Sequence, residues 1–252
     1  MKPHLKISWC IAKVDGAFLA KMEDVLDVYA RPYDADYPVV CFDERPCFLI
    51  EDTLAPLPTQ EGKIAKEHYS YKKNGSCALL AAIEPLAGKR VAKVYEHRTK
   101  EEYTQFMQHL CESYPQAKKI IVVQDNLNTH QTASFYDHLP ADQARALAER
   151  FEFHYTPKGA SWLNMIEIGF SALSKQCLSR RIPTKEILEQ QLKAIIQERN
   201  DKGIKINWQF SIQSARTKLN NKYAKVNTAN LKFKLTQQLT EYQLFFSLNF
   251  KN

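Results

Sequence analysis

Three carboxylates in this sequence are placed where they could do chemistry. Asp43 ends the apolar run Tyr37-Pro38-Val39-Val40-Cys41-Phe42. Asp125 closes a second stretch, in which the four apolar residues Ile120-Ile121-Val122-Val123 are followed by Gln124. Glu167 lies within TPKGASWLNMIEIGFSALSKQCL, residues 156–178. Carboxylate oxygens suit hard divalent cations such as Mg²⁺ or Mn²⁺, whereas histidine and cysteine would draw softer ions. Taken singly, Asp125 serves equally well as a turn or helix cap. Brought together, the three acids make a three-carboxylate metal site.

The flanking patterns say which elements would carry them. A short β-branched run reads as a strand buried on both faces, and α/β sheets gather their ligands at the C-terminal ends of such strands. Pro157 and Gly159 break the chain, Ser161 can cap, and a helix is expected to run on to about Leu178. Trp162, Ile166, Phe170, Leu173 and Cys177 fall on one arc of it, with Glu167 at the border, able to look past the core toward the strand ends.

Earlier in the chain, Asp15 caps a helix through about Ala30. Strands are expected at Pro38–Asp43 and Cys47–Ile50, then a loop over Leu54–Ala65. Asn74-Gly75 signals a hairpin, with Cys77–Ile83 returning and Val91–Glu96 extending the sheet. A helix over Thr99–Ser113, the Asp125 strand, a helix over Ala141–Arg150, a strand over Phe151–Tyr155 and the Glu167 helix follow. Three linked antiparallel strands and then alternating helices and strands describe an α/β mixed sheet with helices on its faces. Thr184 caps a further helix to about Asn200, and Ser211–Tyr223 is a basic amphipathic piece.

The chain has 252 residues, 44% of them hydrophobic, enough for a proper core. Its net charge of +7 suits a polyanionic substrate, because ions shield the carboxylates while Lys and Arg hold phosphates. An ordinary basic soluble protein carries the same charge. The six cysteines are scattered, and without a CxxC pair a zinc ribbon is not expected. There is no signal peptide and no apolar run long enough to cross a bilayer, so the expected location is the cytoplasm, nucleoid-associated when bound to DNA.

CFDERP around Asp43, VVQDNLNTH around Asp125, FHYTPKGASWLNMIEIGFSALSKQCL around Glu167 and WQFSIQSARTKL from Trp208 occur in this order. Together they resemble the DDE transposases of the mariner superfamily, most closely the bacterial insertion-sequence-630 branch, over roughly residues 1–223. The resemblance implies an RNase H-like catalytic domain in which Asp43, Asp125 and Glu167 hold two Mg²⁺ or Mn²⁺ ions. It implies hydrolysis at transposon ends and strand transfer into TA-containing DNA, with DNA as partner and a homodimer on it. Such a pair of ions, about 3.5–4 Å apart, activates the nucleophile and stabilises the leaving oxygen. The domain organisation expected is 1–35 linker and N-terminal helix, 36–182 catalytic domain, 183–226 helical extension and 227–252 atypical tail. The paired helix-turn-helix modules of the family are not matched, which points to an upstream helix-turn-helix protein or reading frame as partner. The alternative is a truncated, non-autonomous remnant acting only as a DNA- or transposase-binding protein.

Further residues have two readings each. Asn126, His130 and Asn164 can support the metal ligands or simply satisfy turns and helix starts. Arg45, Lys158, Lys175, Arg180 and Arg181 can grip DNA phosphates or form a solvated basic face. Glu44 points to the opposite strand face from Asp43 and is expected to be structural or at the surface, and Trp162 is expected in the core.

Overall fold

Positions of side chains come from a computed structural model, which describes residues 13–231. The readings of residues 1–12 and of the tail beyond 231 fall outside these. The described chain divides into two units, a larger one of residues 33–154 and 164–207 and a smaller one of residues 13–32, 155–163 and 208–231. Among the described residues, no helix is long and apolar enough to cross a membrane.

Helix α1 (Gly16–Ala30) belongs to the smaller unit, and Asp15 caps it by accepting from the Phe18 amide at 2.9 Å. Then come β1 (Val39–Asp52), β2 (Tyr71–Glu84), β3 (Lys89–Tyr95), α2 (Lys100–Ser113), β4 (Ile120–Gln124), α3 (Ala133–His138), α4 (Ala141–Glu149), β5 (Phe151–Tyr155), α5 (Ile166–Leu173) and α6 (Lys185–Asp201). Helices α7 (Ile212–Lys218) and α8 (Asn220–Val226) close the smaller unit, where Arg216 and Tyr223 both bond Glu23 of α1.

The sheet runs β3-β2-β1-β4-β5, with β1, β2 and β3 antiparallel in sequence and β4 parallel to β1. This is the mixed, RNase H-like sheet that the resemblance implies. Its core face carries Val40, Phe42, Leu80 and Ala82 against Tyr103, Phe106, Met107 and Leu110 of α2. A capping box at Thr99 and Glu102 fixes where α2 begins.

Three expectations about elements are corrected. The strands expected at Pro38–Asp43 and Cys47–Ile50 are one strand, β1, so Asp43 sits within it rather than at its end. Asn74-Gly75 is no hairpin turn but part of β2, opposite a register shift at Leu49/Ile50. Gly75 has φ 118°, so the turn-forming dipeptide supplies a bulge instead. The connection between β1 and β2 lies earlier, over residues 53–70, with bridges Leu57↔Lys66 and Gln60↔Lys63. The helix expected from Ser161 to Leu178 is broken: a 3₁₀ turn covers Ser161–Leu163, α5 starts at Ile166, and a wider π turn covers Ser174–Leu178.

Candidate active site

Strand register places the two aspartates level with one another. Parallel pairing of β1 with β4 matches Val39 to Ile121, Val40 to Val122 and Cys41 to Val123, and goes no further. Asp43 and Asp125 each lie two residues beyond the last pair, where β1 outruns β4. The same strand continues to pair with β2, with Asp43 opposite the small Ala81. Asp43 is therefore at an internal gap of the sheet, the kind of place where α/β sheets gather their ligands.

Glu167 arrives from α5, and Asn164 sets where that helix starts. The Asn164 side chain is buried; its amide donates to the Phe42 carbonyl at 2.8 Å, and its Oδ1 accepts from the Ile166 amide. One side chain thus ties the beginning of the Glu167 helix to the residue before Asp43. Glu167 itself is exposed, in the first turn of α5.

The electrostatics register this arrangement. Burial pushes the Asp43 carboxyl up to about 7, against the Glu44 amide that bonds its charged form; the Asp125 charge adds to the rise, His130 opposes it, and Glu167 adds again. Asp43 thus lies within the fields of both other acids and is short of neutralising positive charge. Among the described residues, no three His, Cys, Asp or Glu side chains already stand close enough to enclose an ion. The donor chemistry nevertheless fits a hard cation: the three groups offer carboxylate oxygen only, and a cation would relieve the burden on Asp43.

His130 is the residue on which the structure is most explicit. It is fully buried, with Nδ1 at 2.5 Å from Asp125 Oδ1 and Nε2 at 2.9 Å from Glu44 Oε2. Burial disfavours the imidazolium, but the bonds to Asp125 and Glu44 outweigh it and raise His130 to about 9. The ring is enclosed between the two carboxylates, while its backbone amide donates to the Leu127 carbonyl at 3.0 Å and so closes the turn after Asp125. Glu44 does point away from Asp43, as strand alternation requires. It is nevertheless buried, not at the surface, and Arg98 stands 3.6 Å from its other oxygen. No periodicity in the sequence signals this contact, because the partner lies 86 residues away.

Other candidates separate. Asn126, Lys158, Lys175 and Arg180 are exposed. Arg45 instead turns its guanidinium onto the Phe170 carbonyl and the Ser174 hydroxyl, and Arg181 holds Asp52 at 2.6 Å and the His68 carbonyl at 2.8 Å. Both are half-buried and brace the chain at these contacts. Trp162 is 44% exposed, not core, and meets Phe210 edge-on within the smaller unit.

No curated protein sequence matches the chain significantly. Its structure is similar to that of the Mos1 transposase paired-end complex with left transposon end, at 15% identity and TM-score 0.53, covering 81% of this chain and 63% of that one. It is similar also to the Mos1 mariner paired-end complex with Mn, at 14% identity and TM-score 0.53 (89% and 66% covered), and to the Mos1 strand transfer complex, at 14% and 0.54 (81% and 62%). At such identities the likeness establishes the fold, and the chain spans just under two thirds of these relatives' length. The family description that matches residues 38–189, most of the chain, is that of a DDE superfamily endonuclease, a stretch that takes in both aspartates and Glu167. That stretch holds the sheet that levels Asp43 with Asp125 and the helix that Asn164 ties to β1, and the chain belongs to the DDE endonuclease superfamily.

Proposed function

We propose that this chain is the catalytic part of a DNA transposase of the mariner kind, of the insertion-sequence-630 branch, with Asp43, Asp125 and Glu167 as ligands of two divalent ions. The observation that carries this reading is the parallel register that levels Asp43 with Asp125 where β1 outruns β4, within a DDE endonuclease domain that also takes in Glu167. Mg²⁺ or Mn²⁺ bound there would supply a nucleophile at neutral pH and charge relief at the leaving oxygen. The chain's own residues bind and orient: β1 and β4 hold the two aspartates, α5 presents Glu167, and exposed Lys175 and Arg180 receive DNA phosphates. The substrate would be transposon-end DNA and then a TA-containing target, bound by two copies together with an upstream helix-turn-helix module. The solved Mos1 complexes, one with a transposon end and one of strand transfer, support this choice of substrate.

The test is metal-dependent nicking of supercoiled plasmid by the purified chain. Nicking is expected with Mn²⁺ or Mg²⁺ and not in EDTA. Asp43→Asn, Asp125→Asn and Glu167→Gln are each expected to abolish it while leaving the far-ultraviolet circular dichroism unchanged. Undiminished nicking by Asp125→Asn would refute the assignment.

A further inference from the structure

Two separate contacts to the aspartates meet at one residue, Glu44. Its backbone amide donates to Asp43 Oδ1 at 2.7 Å. Its side chain reaches the other face of β1 and meets His130 Nε2 at 2.9 Å, while His130 Nδ1 engages Asp125 Oδ1 at 2.5 Å. One oxygen of each aspartate is therefore already committed to Glu44, directly or through the imidazole.

The imidazole has little freedom to release Asp125. It stacks on the Tyr103 ring at 5.0 Å and meets Phe42 edge-on at 5.2 Å. The Tyr103 hydroxyl donates to Gln124 Oε1 at 3.0 Å, and Gln124 Nε2 donates to the His130 carbonyl at 2.9 Å, so the segment from 124 to 130 is closed on itself. On the far side, Arg98 lies beside the remaining Glu44 oxygen. Stability is a poor account of this cluster, because a buried charged group paired this way is often no better than an apolar side chain of similar volume. A carboxylate–histidine pair behind a ligand is, however, the arrangement that fixes ligand orientation at metal sites.

We propose that Glu44 is a positioning residue for both aspartates, acting through its backbone amide at Asp43 and through His130 at Asp125, so that each presents its Oδ2 to the metal. The inference rests on the reading of Asp43 and Asp125 as metal ligands. It adds a residue outside the three carboxylates and specifies which oxygen of each aspartate is available.

The experiment is Mn²⁺ binding by isothermal titration calorimetry to the full chain and to Glu44→Gln, Glu44→Ala, His130→Asn and Asp125→Asn, with melting temperatures in EDTA alongside. Glu44→Gln and His130→Asn are expected to weaken Mn²⁺ binding about 10- to 100-fold. Glu44→Gln, which keeps the shape of the side chain, is expected to melt close to the unaltered chain, and its nicking is expected to recover when Mn²⁺ is raised. A merely structural role would lower the melting temperature and leave affinity and metal rescue unmoved, which would overturn the proposal. If Glu44→Ala does not fold, Glu44→Gln decides alone. If Asp125→Asn loses Mn²⁺ while Glu44→Gln and His130→Asn bind it as the unaltered chain does, positioning fails and the metal site stands. If the unaltered chain binds no Mn²⁺, the metal-site reading fails and this proposal goes with it.

Discussion

A carboxylate buried beside two other acids holds its proton longer, and Asp43 does so up to about 7. The same group in the unfolded chain titrates near 3.8. Between these values the folded chain binds a proton that the unfolded chain has lost, so this residue lowers stability as pH rises from about 4 to about 7. In EDTA, Asp43→Asn is therefore expected to be more stable than the unaltered chain at pH 8, by up to about 4 kcal/mol, with the gap closing toward pH 4. Melting temperatures across that range check it; equal stability at pH 8 would mean that Asp43 carries no such burden. The acids themselves could be picked out in the sequence, because an unpaired carboxylate after an apolar run is conspicuous. The link from Glu44 to His130 could not, since it joins residues 86 apart through an aromatic slot that exists only once Phe42 and Tyr103 have packed.

Among the elements, the capped helices were read well, whereas α3, the break before α5 and the long hairpin were not. Asp15 and Thr184 each announce a helix start by a local bond to the backbone, and both caps form as expected, while Thr99, expected as the first residue of its helix, caps it instead. Strand continuity depends on pairing partners elsewhere in the chain, so the breaks expected between Asp43 and Cys47 and at Asn74-Gly75 are ones that β1 and β2 pass straight through. The break before α5 was hidden for a similar reason: Asn164 turns from a helix residue into a tether only because the Phe42 carbonyl is there to accept its amide. Asn164→Ala is expected to cost about 1–3 kcal/mol in urea denaturation, the range for a buried partner left unsatisfied. It is also expected to reduce nicking by more than that loss of stability explains, since Glu167 loses its fixed approach. Nicking that stays at the unaltered level would show that α5 needs no such anchor.

For the molecule as a whole, the charge of +7 makes a statement about DNA that does not depend on the metal. Phosphate contacts release counterions, with a log–log slope of about −0.9 per contact. Binding to a non-specific duplex, measured by fluorescence anisotropy, is expected to weaken steeply with salt, with a slope of about −4 or steeper. A slope shallower than about −2 would mean that the basic residues are not organised to hold a duplex. Some of that charge is already used inside the larger unit, where Arg45 and Arg181 hold carbonyls and Asp52, a fact that a count of basic residues cannot contain. What the sequence determined by itself was most of the order of elements, the helix caps at Asp15 and Thr184, the apolar runs and the acids that follow them, because these follow from neighbours a few residues away. Only the tertiary structure decided that parallel register levels Asp43 with Asp125, that Asn164 pins α5 to β1, and that Glu44 reaches both aspartates. Each of those is a contact between segments distant in the chain, set by sheet register and packing rather than by local pattern.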